Sequence, residues 1–195
     1  RETVVLKRGL NLNVSHVGLI NPAEVVVLAI GPHPDDLEMG CFGTLSYLKK
    51  KGASINLLVL TNGERKDGVG KRFAEMERSA EMLGVKLIIG GRGDGSITDS
   101  QEIISFIEGV IKETNANLIF IPAYNDSHQD HRGCYLACLS ATRDIENVLC
   151  YETASVLNFK PSFHVDISED IGIKLKCLAQ HESQQMNSLE IQDFV

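Results

Sequence analysis

Apolar residues along this chain fall into short unbroken runs separated by stripes at helical spacing. Val25 to Ile30, Ile55 to Thr61, Val85 to Ile89 and Leu118 to Ile121 are such runs, and the lack of polar alternation marks strands buried on both faces. Phe42, Leu45 and Leu48 form a first helical stripe, closed by Lys49-Lys50-Lys51-Gly52, since cations and a glycine suit a helix end. Phe73, Met76, Ala80 and Leu83 form a second stripe ending at Gly84, and Ile103, Ile104, Ile107, Val110 and Ile111 a third. Asp99 with Glu102 predicts a capping box for that third helix, and Ser168 a cap for a last helix through Ile171, Leu175 and Leu178. Another helix begins near His131; Val148–Tyr151 and Phe163–Ile167 are later strand candidates, and Gly90 to Gly95 reads as a glycine-rich loop. Strands alternating with helices imply right-handed crossovers. The expected fold is α/β: a Rossmann-like three-layer α/β/α sandwich with a mostly parallel sheet, formed by one domain over residues 23–195. Residues 1–22 read as an irregular N-terminal extension holding at most a short strand at Val4-Val5-Leu6.

Composition narrows the setting. A length of 195 residues suits one domain, and a net charge of −7 with acidic residues spread along the chain argues against a nucleic-acid partner. No apolar run approaches the ~20 residues of a membrane span, and no signal peptide is evident. The five cysteines form no CxxC pair, so they read as packing residues in a reducing, cytoplasmic setting. Oligomeric state is not legible, and a homo-oligomer is compatible with the sequence.

The chemistry concentrates at two places. His33-Pro34-Asp35-Asp36 ends the first buried run, where a core strand would not normally place groups so costly to bury unpaired. Asn125-Asp126-Ser127-His128-Gln129-Asp130-His131-Arg132 follows the fourth. Loops after both strands open at the carboxyl edge of a parallel sheet and can meet at a topological switch point. Two imidazoles and a carboxylate with an open position suit a catalytic zinc. His33 and Asp36, three apart across a proline turn, can face one metal, with His131 as third ligand. Asp35 stays off the metal as a base for water, and His128 is free to serve an oxyanion or a leaving amine, oriented by Asp130. Glu38 reads either as a partner behind the ligands or as a helix-end charge.

These segments resemble a known family. His33 to Leu45 and His128 to His131 are similar to the two signature motifs of the LmbE-like, or PIG-L-type, zinc-dependent N-acetyl-sugar deacetylases. Thr61-Asn62-Gly63-Glu64, Arg72 with Glu75, Asp94-Gly95 and His181-Glu182-Ser183-Gln184 fit further family motifs, so matches run from about residue 24 to 184. Leu37 and Glu38 stand where many members carry a directly following Glu, Cys41-Phe42-Gly43 replaces Cys-Gly-Gly, and the sequence stops at Val195 before the family's usual tail. The resemblance implies His33, Asp36 and His131 as ligands of one Zn2+ per chain (or another divalent transition metal), with Asp35 as general base and His128 as acid or oxyanion stabiliser. Arg72, Glu64, Asp94 and His181 would face a small amino-sugar substrate. The implied reaction is hydrolysis of an N-acetylglucosamine-type conjugate to acetate and a free amine. The alternatives are a metal-dependent amidase on a non-sugar acyl amine and a non-catalytic Rossmann-like sugar-nucleotide binding domain.

Overall fold

A computed structural model of the protein describes residues 2–6, 24–64 and 70–184. The sheet is seven-stranded: β1 (Glu2–Leu6), β2 (Val26–Gly31), β3 (Ser54–Thr61), β4 (Lys86–Arg92), β5 (Leu118–Pro122), β6 (Asn147–Tyr151) and β7 (Phe163–Val165), in the order β4-β3-β2-β5-β6-β1-β7. From β4 to β6 every pairing is parallel, whereas β1 pairs antiparallel with both β6 and β7. The mostly parallel α/β sandwich expected from the sequence is therefore present. The short strand expected at Val4–Leu6 is β1, set inside the sheet; the rest of the N-terminal extension lies outside the described residues.

Alternation along the central strands builds two cores. Val27 and Ala29 of β2 join Leu57 and Val59 of β3 under α2 (Phe42–Lys50), α3 (Lys71–Leu83) and α6 (Ile171–Leu178). Leu28, Ile30, Leu58 and Leu60 face the opposite way, under α4 (Gln101–Thr114) and α5 (Gln129–Ala141). Burial of apolar surface on both faces, at roughly 25 cal/mol per Å2, is what holds the three layers together. Cys134 and Cys138 pack in the second core, and all five cysteines are buried and outside any disulfide, as packing residues should be.

Three local expectations need correction. Helix α4 is capped by Ser100, whose side chain accepts from the Ile103 amide, and not by Asp99; Glu102 instead pairs with Arg92. Ser168 does not cap α6: its amide and hydroxyl both donate to Asp166, and the N-cap residue is Asp170. Strand β4 continues through Gly90 and Gly91 to Arg92, because a Cβ at Gly90 would lie 2.8 Å from the Leu60 carbonyl oxygen of β3. There glycine allows close strand approach instead of making a loop.

The chain runs β2–β3–β4 outward, then returns to β5 on the other side of β2. The carboxyl ends of β2 and β5 thus flank the switch point, where open α/β sheets bind ligands. After β2 the short helix α1 (Asp36–Gly40) begins at once. Its turn is pinned by neighbouring strands: Thr61 donates to the Pro32 carbonyl through both its amide (3.0 Å) and hydroxyl (2.9 Å), and the Tyr151 hydroxyl donates to the Ile30 carbonyl (2.9 Å).

On the other side, α5 presses on the 95–98 segment at Gly133, where a Cβ would stand 2.2 Å from the Ile97 carbonyl oxygen. Nothing flexible can move aside there. Gly133→Ala is expected to destabilise the fold by about 1–3 kcal/mol, the usual cost of overpacking, read as a lower urea midpoint. An unchanged midpoint would mean that α5 can shift away freely.

Candidate metal and catalytic site

His33 and His131 approach one carboxylate from two sides. Asp36 Oδ2 lies 3.3 Å from His33 Nδ1, and Asp36 Oδ1 lies 3.3 Å from His131 Nε2. The Asp36 carboxylate also accepts from the His33 amide at 2.9 Å, which locks the turn. All three residues are buried. Each imidazole carries a second carboxylate on its far nitrogen: Asp130 Oδ2 at 3.0 Å from His33 Nε2, and Asp126 Oδ2 at 2.8 Å from His131 Nδ1. Carboxylate–histidine pairs behind a shared inner face are what orient imidazoles on a metal.

Charge in this cluster is strongly organised. Burial disfavours the imidazolium forms of both histidines, but hydrogen bonds that His33 donates to the Asp130 and Asp36 carboxylates push it up to about 9. The charge of Asp36 and the hydrogen bond to Asp126 push His131 up to about 10. Against its own burial, Asp36 is held far below the usual carboxylate range by His131 and His33. Asp126, which also accepts from the hydroxyls of Thr153 and Ser155, is held low in the same way.

Asp35 sits beside this cluster with its own partner. Its backbone adopts φ 105° and ψ −28°, a region that non-glycine residues rarely occupy and that costs on the order of 1–3 kcal/mol. Its Oδ1 accepts from Arg72 Nη2 at 2.9 Å. Burial first, and then the neighbouring Asp36 charge, raises its carboxyl to about 6, with Arg72 pulling the other way.

His128 is the N-cap of α5, and its Nδ1 accepts from the Asp130 amide at 3.2 Å. The neutral ring therefore carries its proton on Nε2, as a donor. Burial, together with the charges of His33 and His131, lowers its pKa and favours that neutral form. Its ring centroid lies 4.8 Å from that of His33 and 4.9 Å from that of His131.

Residues 28–142 match the PIG-L family, described as GlcNAc-PI de-N-acetylase. The chain belongs to this family. It is 34% identical over 167 residues to the uncharacterized deacetylase YaiS of Escherichia coli, spanning 80% of this chain and 90% of that protein. It is 30% identical over 185 residues to a diacetylchitobiose deacetylase of Thermococcus kodakarensis, spanning 81% of this chain and 69% of that one. Among solved structures, an N,N'-diacetylchitobiose deacetylase from Pyrococcus horikoshii superposes with a TM-score of 0.74 at 25% identity, over 93% of this chain and 79% of its own.

The other sequence-predicted residues of this PIG-L domain are distributed as follows. Asp94 Oδ1 lies 3.3 Å from His33 Nε2, and the Asp94 amide donates to Glu64 Oε1 at 3.0 Å, so both border the imidazole cluster. Contrary to expectation, Asp130 does not orient His128 with its carboxylate. That carboxylate faces His33 and accepts from the amides of Gly95 (2.6 Å) and Ile97 (3.1 Å), while only its backbone meets His128. The cause is the helix start, which turns the Asp130 side chain inward and the amide toward the cap. His181 is buried with its Nε2 3.0 Å from Glu38 Oε1, which leaves it no surface for a substrate in this conformation. Glu38 is thus a buried partner of the closing segment and not a helix-end charge.

Sequence reasoning gave no role to Asp126. Its signal was present in the number of carboxylates around His128 and His131, but nothing local says which one faces which ring. Grouping ligand atoms by distance brings His33, His128 and His131 within 4.8 Å of one another, and His33, Asp94 and Asp130 likewise. Among the described residues, no carboxylate hydrogen-bonds to the His128 ring as Asp130 and Asp126 do to His33 and His131.

Proposed function

We propose that the protein is a zinc-dependent hydrolase that removes the acetyl group from an N-acetylglucosamine-type sugar conjugate, giving acetate and a free amine. The observation that carries this reading is the separation of two adjacent carboxylates. Asp36 is shared by two imidazoles, whereas Asp35 is turned away from them and raised in pKa. The family and its deacetylase relatives supply the substrate class.

The donor set fits zinc. Two imidazoles and a carboxylate are donor types that zinc takes, and Asp36 brings one oxygen to 3.3 Å from His33 Nδ1 and the other to 3.3 Å from His131 Nε2. His33, Asp36 and His131 would hold the ion, which supplies Lewis acidity that brings water toward a pKa of ~7 and polarises a carbonyl. The chain's own groups then divide the proton work. Asp35 takes the proton from water as its oxygen bonds to the acetamide carbon, and His128 donates from Nε2 to the developing oxyanion. As the C–N bond breaks, the proton that Asp35 took from water passes to the departing nitrogen, which leaves as the free amine and returns Asp35 to its carboxylate form. Glu64 and Asp94, at the border of the cluster, are placed in contact with sugar hydroxyls in this reading.

The test is a panel of N-acetyl sugars and non-sugar acetamides assayed for acetate and free amine. Release from the sugars is expected; release only from the non-sugar amides would replace the substrate class, and no release from zinc-loaded protein would overturn the hydrolase reading. Asp126→Asn, which weakens the support behind His131, is expected to lower zinc affinity about 10–100-fold. Competition with a chromophoric chelator measures it, and unaltered affinity would remove that role.

A further inference from the structure

We infer that His181 is a positioning residue for the metal-binding turn: by holding Glu38, the closing segment sets the direction in which α1 presents Asp36. The inference rests on the ligand set proposed above, in which Asp36 binds the metal. Helix α1 spans five residues and has no side-chain hydrogen bond at its N-cap. A helix so short does not stand by itself in water, so its orientation is set by what touches it. Gly40 sets its depth: a Cβ there would stand 2.2 Å from Tyr151 Cδ2 and 2.6 Å from the Glu152 carbonyl oxygen. Lys174 Nζ of α6 donates to the Met39 carbonyl at 2.7 Å and holds the helix end. His181 grips a side chain, with its Nε2 3.0 Å from Glu38 Oε1. Successive helical residues are turned by about 100°. Glu38 and Asp36 thus point to nearly opposite sides of α1, and fixing one fixes the other.

The segment that carries His181 is itself anchored to α3. Ser183 donates to Glu75 through its amide (3.0 Å) and its hydroxyl (2.5 Å), and Cys177 Sγ donates to the Ser79 carbonyl at 3.7 Å. Arg78 donates to the Gln180 carbonyl at 3.3 Å. The imidazole therefore reaches α1 from a fixed support. As a device for stability alone the pair is poor. Both side chains are fully buried, and Glu38 Oε2 and His181 Nδ1 lack a partner among the described residues. Apolar groups in place of such a pair are often neutral or stabilising, and orphaned buried atoms call for a reason. The reason here is direction. Apolar contact would hold α1 against α6 as well, but would let it turn about its own axis. A turned Asp36 no longer meets His33 and His131 at once.

The experiment measures zinc affinity by chelator competition and stability by urea unfolding of the zinc-free protein. Glu38→Met combined with His181→Leu removes both polar groups together. Its zinc-free urea midpoint is expected to equal or exceed that of the wild type. Its zinc affinity is expected to fall about 10-fold, the lower end for groups that support ligands. Glu38→Asp keeps the charge but shortens the reach, and is expected to lose affinity by a similar factor. Glu38→Gln, whose carbonyl still accepts from His181, is expected to stay within about 2-fold of wild type. A double variant that binds zinc like the wild type, or that loses affinity only together with its midpoint, overturns the inference, because the pair would then serve the fold alone. Should the double variant not fold, wild-type affinity in folded Glu38→Asp overturns it. A loss of about 10-fold in Glu38→Gln would assign the effect to charge and overturn it too. If the wild-type protein takes up no zinc, the metal reading fails, and the direction of Asp36 is read from the imidazole NMR signals of His33 and His131. A shift of both in Glu38→Asp then supports the inference, and unmoved signals overturn it.

Discussion

Replacing Asp35 by asparagine is expected to lower kcat by on the order of 10²–10⁴-fold, the range for removal of a general base, while zinc content and fold are kept. The expectation follows from what each oxygen of the two aspartates touches. Asp36 spends both oxygens on imidazoles, and Asp35 spends one on Arg72. Asparagine at position 35 can still accept from Arg72, so the turn persists, but it cannot take a proton. Rates across the sugar panel, zinc per chain by elemental analysis, and circular dichroism check the three parts together. A variant that keeps zinc, fold and most of its rate would remove Asp35 from the chemistry and leave His128 as the base.

Removal of zinc is expected to abolish turnover, and its return to release protons. In metal-free protein His33 is raised to about 9 and His131 to about 10, so both imidazoles are protonated at pH 7. They must lose those protons to become ligands. About two protons per zinc are therefore expected near pH 7, falling toward none as pH passes 10, and apparent zinc affinity is expected to climb over that window. Calorimetric titration in buffers of different ionisation enthalpy counts the protons. The stability of the metal-free protein follows the opposite course. A histidine raised above its unfolded value of about 6.5 stabilises fully below that pH, and this contribution is lost as pH rises through the folded value. Chelated protein is thus expected to lose stability between about pH 7 and 10, where zinc-loaded protein gains affinity. No proton release at pH 7 would contradict the paired carboxylates behind the two rings.

Much of this organisation was legible in the order of residues. Continuous apolar runs marked the central parallel strands because burial on both faces leaves no place for polar alternation. The polar cluster at His33–Asp36 and the one at His128–His131 could be brought together before any geometry, since the chain must reverse its direction of winding between β4 and β5 for both loops to meet. What sequence could not supply was the pairing of like with like. Asp126 and Asp130 stand two residues to either side of His128, and only the start of α5 decides that one supports His131 while the other crosses to His33, 97 residues away. Arg72 could be expected at the site because guanidinium groups suit hydroxyls and phosphates, but the contacts of its Nη2 with Pro34 and Asp35, and its packing against Gly63, have no local pattern in the sequence. The caps of α4 and α6 were misassigned by one or two residues, within the ordinary fraying of such boundaries.

The antiparallel seat of β1 has a consequence for assembly. Val4 pairs with both Tyr151 and Phe163, so this strand has no place to dock until β6 and β7 have formed. Pairings so remote along a chain are slow to close. Until then the outer margin of β6 presents open amides and carbonyls, with buried-type residues such as Val148 and Cys150 beside them, a template on which another chain's strand can add. Delivery of Glu2–Leu6 into that gap competes with intermolecular pairing. During refolding, yield should depend on protein concentration more steeply than the parallel core alone would require.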